Sequence, residues 1–409
     1  MNIKVLHINT SDVGGAAIAC HRLHDLMLNA GIQSEVLHMY ENCPVNEHYH
    51  VLGYKAIRKV LNHAVYAITQ KDLTSDAYVF NEMAPMRSGI VSHPLVQQSD
   101  VIYLHWVLGG LMSKGDFEDL ARTGKPIFCF THDMWWITGG CHYSFDCEGY
   151  KSGCKKCPKH KHFSILTSRQ SAWKKKFYGG YPNVHFISPS DWLRKCADCS
   201  SAIDQGRCTF IPNIVPDQIF RNTDKGQAKE RFGLPKDKVI IAFGTADNSN
   251  VVKGMKYLVE ALKIISDDRL LLCVYGSEHD ENLEREVLQP IRFLGRFTDP
   301  KDVAMANAAA DVFVSPTLAE SFGQTLLENI KCGTPVISTR TTAVPEIVQD
   351  GINGYLVEPK DSKGIATAIM KFISNPIRID GSYNEIFSGE SILSKHLALI
   401  RKSLNSKYR

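Results

Sequence analysis

PTLAESFGQTLLENIKCGTPVIS, residues Pro316 to Ser338, follows the short β-branched run Asp311-Val-Phe-Val-Ser315. The run reads as a buried strand, Pro316 punctuates it, and Leu326, Leu327 and Ile330 give the next segment one apolar helical face. Gly333 supplies a C-terminal cap. A helix beginning near Gly323 puts Glu320 in the loop before it and Glu328 one turn past Gln324, on the polar face. Two carboxylates then flank a helix N-terminus, where backbone N–H groups and the dipole favour phosphate. Carboxylates do not bind phosphate, but they accept hydrogen bonds from sugar hydroxyls. Phosphate held between two polyols describes a nucleotide sugar. Two glutamates at this spacing mean little alone, since such pairs are usually solvated surface charges; the weight comes from strand, Pro, Glu, Ser-Phe-Gly, helix and second Glu falling in one βα unit.

Outward from this stretch the βα pattern repeats. Ile3 to Ile8 reads as a strand, Asn9 to Gly15 as a loop, Ala16 to Ala30 as a helix stopped by Gly31, and Ser34 to Met39 as the next strand. Strands joined this way are parallel, in a sheet covered on both faces. Val101 to Leu104, Pro126 to Phe130 and Val184 to Ser188 extend that first α/β domain. The segment TFIPNIVPDQIF, Thr209 to Phe220, has two prolines and little helical periodicity, as a crossing between domains would. The pattern then restarts with strands at Val239 to Phe243, Leu270 to Tyr275 and Ile291 to Leu294, and a helix at Tyr257 to Ile265. The expected domains are 1–208, with a Cys-rich basic insertion at about 139–178, then 209–386, and a C-terminal helix within 387–409 that fits either domain.

A chain of 409 residues suits two domains of roughly 200 residues each. Its 44% hydrophobic and 22% charged content is that of a globular protein, and 47 basic against 43 acidic residues leave +4, which selects no class of partner. The N-terminus reads as a strand rather than a cleavable signal, and no apolar run reaches a membrane span, so a cytoplasmic enzyme is expected, peripheral to the inner face of the membrane at most. Twelve cysteines without a secretory signal point to free thiols or metal ligands rather than a disulfide framework.

Ligands of open parallel sheets sit at the C-terminal ends of strands, and two such domains facing each other would converge their loops on one cleft. Gly14-Gly15 lets backbone approach a ligand, although a glycine pair there is as often a tight turn. Lys253-Gly254 places a cation before a helix. His105 and His132-Asp133 each follow an apolar strand; His132 can donate to a hydroxyl or help bind an acceptor, as its protonation allows.

The strings ESFGQTLLE and TAVPEIVQDGINGYLVEP, the crossing IPNIV, the Lys253-Gly254 step and the Gly14-Gly15 loop resemble glycosyltransferase family 4, over Met1 to about Lys371. The resemblance implies a retaining, hexosyl-type enzyme of the GT-B fold, two Rossmann-like domains facing an interdomain cleft. It implies catalytic roles for Glu320 on the transferred sugar and His132 near the reacting carbon. Ser321, Phe322 and Gly323 would hold phosphates, Lys253 the diphosphate and Glu328 the ribose. Gly14 and Gly15 complete the donor-binding set, while His105 and Asp133 are acceptor-side candidates. The implied partners are a nucleotide-sugar donor and a saccharide or lipid-linked saccharide acceptor in lipopolysaccharide or exopolysaccharide synthesis, with no catalytic metal. Many relatives carry an Arg near the lysine, where this chain has Val252 and Thr245; Gln324 and Asn329 also replace smaller or apolar residues.

Cys141, Cys147, Cys154 and Cys157 fall within 17 residues. They suit a structural tetrahedral zinc, or else free thiols in a loop; certain bacterial polysaccharide glycosyltransferases are similar in such an insertion. From Lys151 to Lys176 there are nine Lys or Arg and no Asp or Glu, with Trp173, Phe177 and Tyr178 at one end. That strip reads as an anionic-membrane contact or as a solvated basic face. A nucleotide-sugar epimerase on the same fold is the enzyme alternative. A zinc-containing nucleic-acid-binding protein ranks far lower, because no nucleic-acid module accompanies the basic residues.

Overall fold

In the computed structural model, which describes residues 3–40, 43, 45–53, 56–73, 80–247 and 250–406, the chain forms two α/β units. The first contains residues 1–214 together with 390–409, and the second residues 215–389.

The first unit is built on seven strands: β1 Lys4–Asn9, β2 Gln33–His38, β3 Tyr49–Val51, β4 Val101–Leu104, β5 Ile127–Phe130, β6 Val184–Ser188 and β7 Cys208–Phe210. They lie in the order β3-β2-β1-β4-β5-β6-β7, and every pairing is parallel. β4 and β5 are buried at every position, the run of apolar residues expected of strands covered by helices on both faces. The helix Gly15–Asn29 links β1 to β2 and buries Ala19, Leu23 and Met27. β3 and β7, three residues each, lie beyond the strands expected from the sequence.

The six strands of the second unit are β8 Val239–Gly244, β9 Leu270–Tyr275, β10 Ile291–Gly295, β11 Val312–Ser315, β12 Val336–Thr339 and β13 Gly354–Val357. Their order is β10-β9-β8-β11-β12-β13, again all parallel. In both sheets the strand order reverses beside the first strand, and loops leaving the C-terminal ends there are where a doubly wound sheet places its ligands.

The division between units falls six residues after the expected 208/209 boundary, and β7 accounts for the difference by pairing with β6. The C-terminal helix Gly389–Ser406 belongs with the first unit. Ile392 and Ile400 are fully buried there with Ile3, Val5 and Tyr103, and His396 Nδ1 lies 3.1 Å from the Tyr103 hydroxyl. Burying two such aliphatic side chains stabilises by roughly 3–6 kcal/mol. The last segment is therefore part of the first core rather than a separate appendage.

Candidate functional site

In the second unit the helix Gln324–Lys331 starts directly after Gly323, whose φ of 92° is left-handed and whose N-cap position has no side-chain hydrogen bond. Gly333 follows the helix at φ 83°, as expected of a C-terminal glycine cap. No side chain caps the N-terminus, so backbone amides are what the turn offers an anion. Leu326, Leu327 and Ile330 are buried, and so is Glu328, which the sequence had placed on an open polar face. At 5% exposure Glu328 is buried rather than solvated, though it lies on the helix face away from Leu326, Leu327 and Ile330.

Glu320 and Lys253 meet across two adjacent strand ends, Lys253 Nζ donating to Glu320 Oε1 at 2.7 Å. Both lie on segments held by main-chain bonds. Leu318 N donates to Val252 O at 2.7 Å and the Thr317 hydroxyl to the same oxygen at 3.0 Å. Glu320 N donates to the Thr342 hydroxyl at 2.8 Å, and Ala343 N returns a bond to Glu320 O at 3.2 Å. Thr342 holds a positive φ of 45°. The TAVPE string thus acquires a physical role that its pattern alone did not reveal: it fixes the backbone of Glu320. Gly254, at φ 74°, lets the Lys253 turn lie against the Pro316 carbonyl, where a Cβ would stand 1.9 Å from the oxygen. A fixed cation, a fixed carboxylate and an uncapped helix turn form one polar edge above β8 and β11.

In the first unit Gly14 caps the helix Gly15–Asn29 at φ 92°, and a Cβ at either Gly14 or Gly15 would meet nothing within 4 Å. The loop therefore has open space in front of its backbone. Along β1, β4 and β5 runs a chain of imidazoles. His7 Nδ1 lies 3.0 Å from His105 Nε2, and His105 Nδ1 lies 2.9 Å from His132 Nε2. Neutral rings in such a chain hold one proton each, so their tautomers are set jointly. Burial holds all three below the ordinary histidine range; for His132 it lowers the pKa to about 4, with Asp133 partly opposing. His132 is thus a neutral ring at the strand end.

His105 and Asp133 are each engaged by other protein groups. His105 is 1% exposed with both ring nitrogens against other histidines, so any effect it has passes through His132. Asp133 accepts from Trp135 N at 2.8 Å and pairs with His142 Nδ1 at 2.6 Å. Burial pushes its carboxyl upward, but the His142 charge and these bonds outweigh it and hold the pKa below the ordinary value. Asp133 caps a turn and orients His142, a job its place after a strand did not disclose.

The four thiols of the cysteine insertion lie within electrostatic reach of one another. Burial, followed by Cys157, Cys154 and Cys147, pushes the Cys141 thiol up to about 12. Cys154 Sγ accepts from Gly139 N at 3.2 Å. Among the described residues the group whose donor atoms all lie within 4.8 Å is His7, Cys20 and His105, and the four cysteines do not meet that spacing. Closing them on an ion would draw the thiols together.

The basic strip is not continuous. Lys174 is fully buried, donating to the carbonyls of Trp135 and Thr138 with its ammonium 3.6 Å from the Trp135 ring centre, and burial lowers its pKa to about 7. Phe177 and Tyr178 are also buried, so this end of Lys151 to Lys176 withdraws one lysine and two of its three aromatics from the surface, while Trp173 is half-buried. Helical spacing turns Lys174 inward while Lys175 and Lys176 remain exposed. Among the described residues no helix is long and apolar enough to cross a membrane.

Residues 237–375 match the family described as Glycosyl transferases group 1. The chain is 23% identical over 374 residues to the putative colanic acid biosynthesis glycosyl transferase WcaC of Escherichia coli K12, covering 85% of each chain. Other curated relatives align over about half of their own length or less. Among solved structures, sucrose-phosphate synthase from Thermosynechococcus elongatus superposes with a TM-score of 0.68 at 17% identity, over 99% of this chain and 100% of that one. HepE of Anabaena in complex with UDP-glucose gives 0.60 at 15% identity, over 100% and 99%. Residues 237–375 thus match a Glycosyl transferases group 1 domain, and the two parallel-sheet units have the GT-B fold.

Proposed function

We propose that this protein moves a sugar from a nucleotide-sugar donor to a hydroxyl of a saccharide acceptor, with retention at the anomeric carbon, in the assembly of a lipid-linked cell-surface polysaccharide. One observation carries the reading: the Lys253–Glu320 pair at 2.7 Å beside the uncapped turn at Gly323. Departure of a nucleoside diphosphate builds negative charge on phosphate oxygen and positive charge on the anomeric carbon. Lys253 and the amides of Ser321, Phe322 and Gly323 are suited to the first, and Glu320 to the hydroxyls of the transferred sugar. Glu328 is assigned to the ribose. His132, kept neutral by burial, offers a ring nitrogen to a sugar hydroxyl without the charge that would repel the developing cation. The acceptor oxygen attacks the face the diphosphate leaves, the carbon–oxygen bond to phosphate breaks, and the acceptor proton passes to the departing phosphate oxygen. The polysaccharide context is supported by the similarity to the putative colanic acid biosynthesis glycosyl transferase WcaC; the lipid-linked acceptor and a site of action at the inner face of the membrane follow from the family resemblance.

Thermal-shift measurements with UDP-, GDP- and ADP-sugars, then NMR of the product's anomeric configuration, test the reading. Stabilisation by one donor class and a retained configuration are expected, with turnover persisting in chelator. An inverted product or a covalent sugar on a carboxylate would overturn the mechanism, and turnover without any acceptor would favour the epimerase. We further propose that Cys141, Cys147, Cys154 and Cys157 hold a structural zinc, a donor set of four thiolates that suits this ion.

A further inference from the structure

The helix Ala56–Asp72 is assembled inside out. Its inward residues are polar: Arg58 donates to the carbonyls of Gly110 and Leu111 at 2.8 and 2.9 Å, Gln70 to Phe80 O at 3.0 Å, and Asp72 is bound to the His160 ring and to the amides of His162 and Phe163, each at 2.8 Å. Its outward residues are apolar. Ile57, Val60, Leu61, Ala64 and Ile68 follow the i, i+3, i+4, i+7, i+11 spacing of one helical face, and Ile57, Val60, Leu61 and Ile68 are 61, 67, 39 and 58% exposed. The Asp72 clamp brings the next exposed apolar residues, Phe163 and Ile165, to the end of the same helix.

The exposed charges on this helix and on the segment at its end are basic. Lys59, Lys71 and Lys161 are exposed, while Asp72, the single acid between 56 and 73, is buried against His160. Residues 151–176 contain no acid at all. A bordering groove of about 730 Å³ meets the band at Ile68, and its two acids, Glu82 and Glu118, are accompanied by two bases, Arg87 and Lys114.

An apolar helix face whose own exposed charged residues are lysines fits the boundary between headgroups and acyl chains of an anionic bilayer. We propose that the outward face of Ala56–Asp72, with Phe163 and Ile165, docks this protein on an anionic lipid surface. It relocates the membrane contact from the Trp173 end of the basic strip, where Lys174, Phe177 and Tyr178 are buried, to a helix whose polar side is already used. The purpose of docking rests on the lipid-linked acceptor proposed above; the surface itself does not.

The test is flotation of the full chain with phosphatidylglycerol vesicles and with phosphatidylcholine vesicles. Wild type is expected to float at least about tenfold better with phosphatidylglycerol, and the triple variant Ile57→Gln, Val60→Gln, Leu61→Gln to lose about tenfold or more of that binding, less than full burial of one such side chain is worth. Lys59→Gln with Lys71→Gln is expected to weaken flotation and its salt sensitivity without touching the apolar face, and so decides the matter if the triple variant fails to fold. Lys175→Gln with Lys176→Gln is expected to bind as wild type does. Wild type that ignores anionic vesicles, undiminished binding by the triple variant, or light scattering that finds a dimer dissociated by it would each overturn the proposal. Nucleotide-sugar stabilisation, measured on the same preparations, reads the glycosyltransferase reading separately.

Discussion

Replacing Gly254 with Ala tests whether the Lys253 turn is held as tightly as its contacts imply. Gly254 sits at φ 74°, where an L-residue costs roughly 1–2 kcal/mol. Its new Cβ would also stand 1.9 Å from Pro316 O and 2.7 Å from the carbonyl carbon, against an ordinary contact of 3.4–4 Å. Both atoms are backbone, so no rotamer change relieves the clash; the turn or the Pro316–Leu318 loop must move by more than an ångström. That movement strains the bonds to Val252 O from Leu318 N and Thr317, and losing one adds about 0.5–1.5 kcal/mol. The total is about 1.5–3.5 kcal/mol, or about 3–14 °C in Tm for a unit of 175 residues, 215–389. Scanning calorimetry should show the loss, and titration with a nucleotide sugar should show weaker binding because Lys253 moves with the turn. Gly15→Ala is the control: it meets nothing within 4 Å and needs no positive φ, so its melting should match wild type or rise slightly. A Gly254→Ala protein that melts and binds as wild type would refute the packing argument.

Lys253→Met should weaken binding of a nucleoside diphosphate by about tenfold to a hundredfold, the range of one charge-assisted hydrogen bond. Glu320→Gln should change that affinity little while lowering turnover; equal effects on diphosphate affinity would remove the division of labour. Acid should unfold the first unit before the second. Fifteen of the sixteen histidines lie in the first unit, and burial holds His132 and His185 near 4 and His396 near 3, below the unfolded value of 6.5. Below pH 6.5 the unfolded chain binds protons that these folded rings refuse, so stability falls with pH by about 1.4 kcal/mol per unit per histidine until the folded pKa is reached. All five tryptophans are also in the first unit, so their fluorescence should change at higher pH than the second loss of circular dichroism. A single coincident transition would count against this. Purified protein should contain about one zinc, lost in Cys147→Ser; metal-free protein that is fully folded would remove the zinc proposal.

Hydrophobic periodicity was enough to place most of the strands and the helix after Gly323, because apolar alternation and glycine punctuation are local properties of a βα unit. The short strands β3, β7, β12 and β13 escaped it: three or four residues are too few to show a period. Candidate roles fared by the same rule. Glu320, Lys253 and Gly254 were legible as loop residues at strand ends, yet the support from Thr342 and Ala343 was not, since it joins positions 22 residues apart in the Glu320–Thr342 bond.

What the chain's order of residues determined alone was the alternation of strands and helices, hence two parallel sheets, and a family-specific string in the second of them. Tertiary structure decided which neighbours those residues meet. His7 and His105, 98 residues apart, become hydrogen-bonded because β1 pairs with β4 in a particular register. The amphipathic pattern of Ala56–Asp72 states that one face is apolar, but not that Arg58, Gln70 and Asp72 anchor the other to the body and turn the apolar face outward. Periodicity carries the shape of an element; burial and charge pairing depend on partners distant in the chain, and only the folded arrangement brings them within reach.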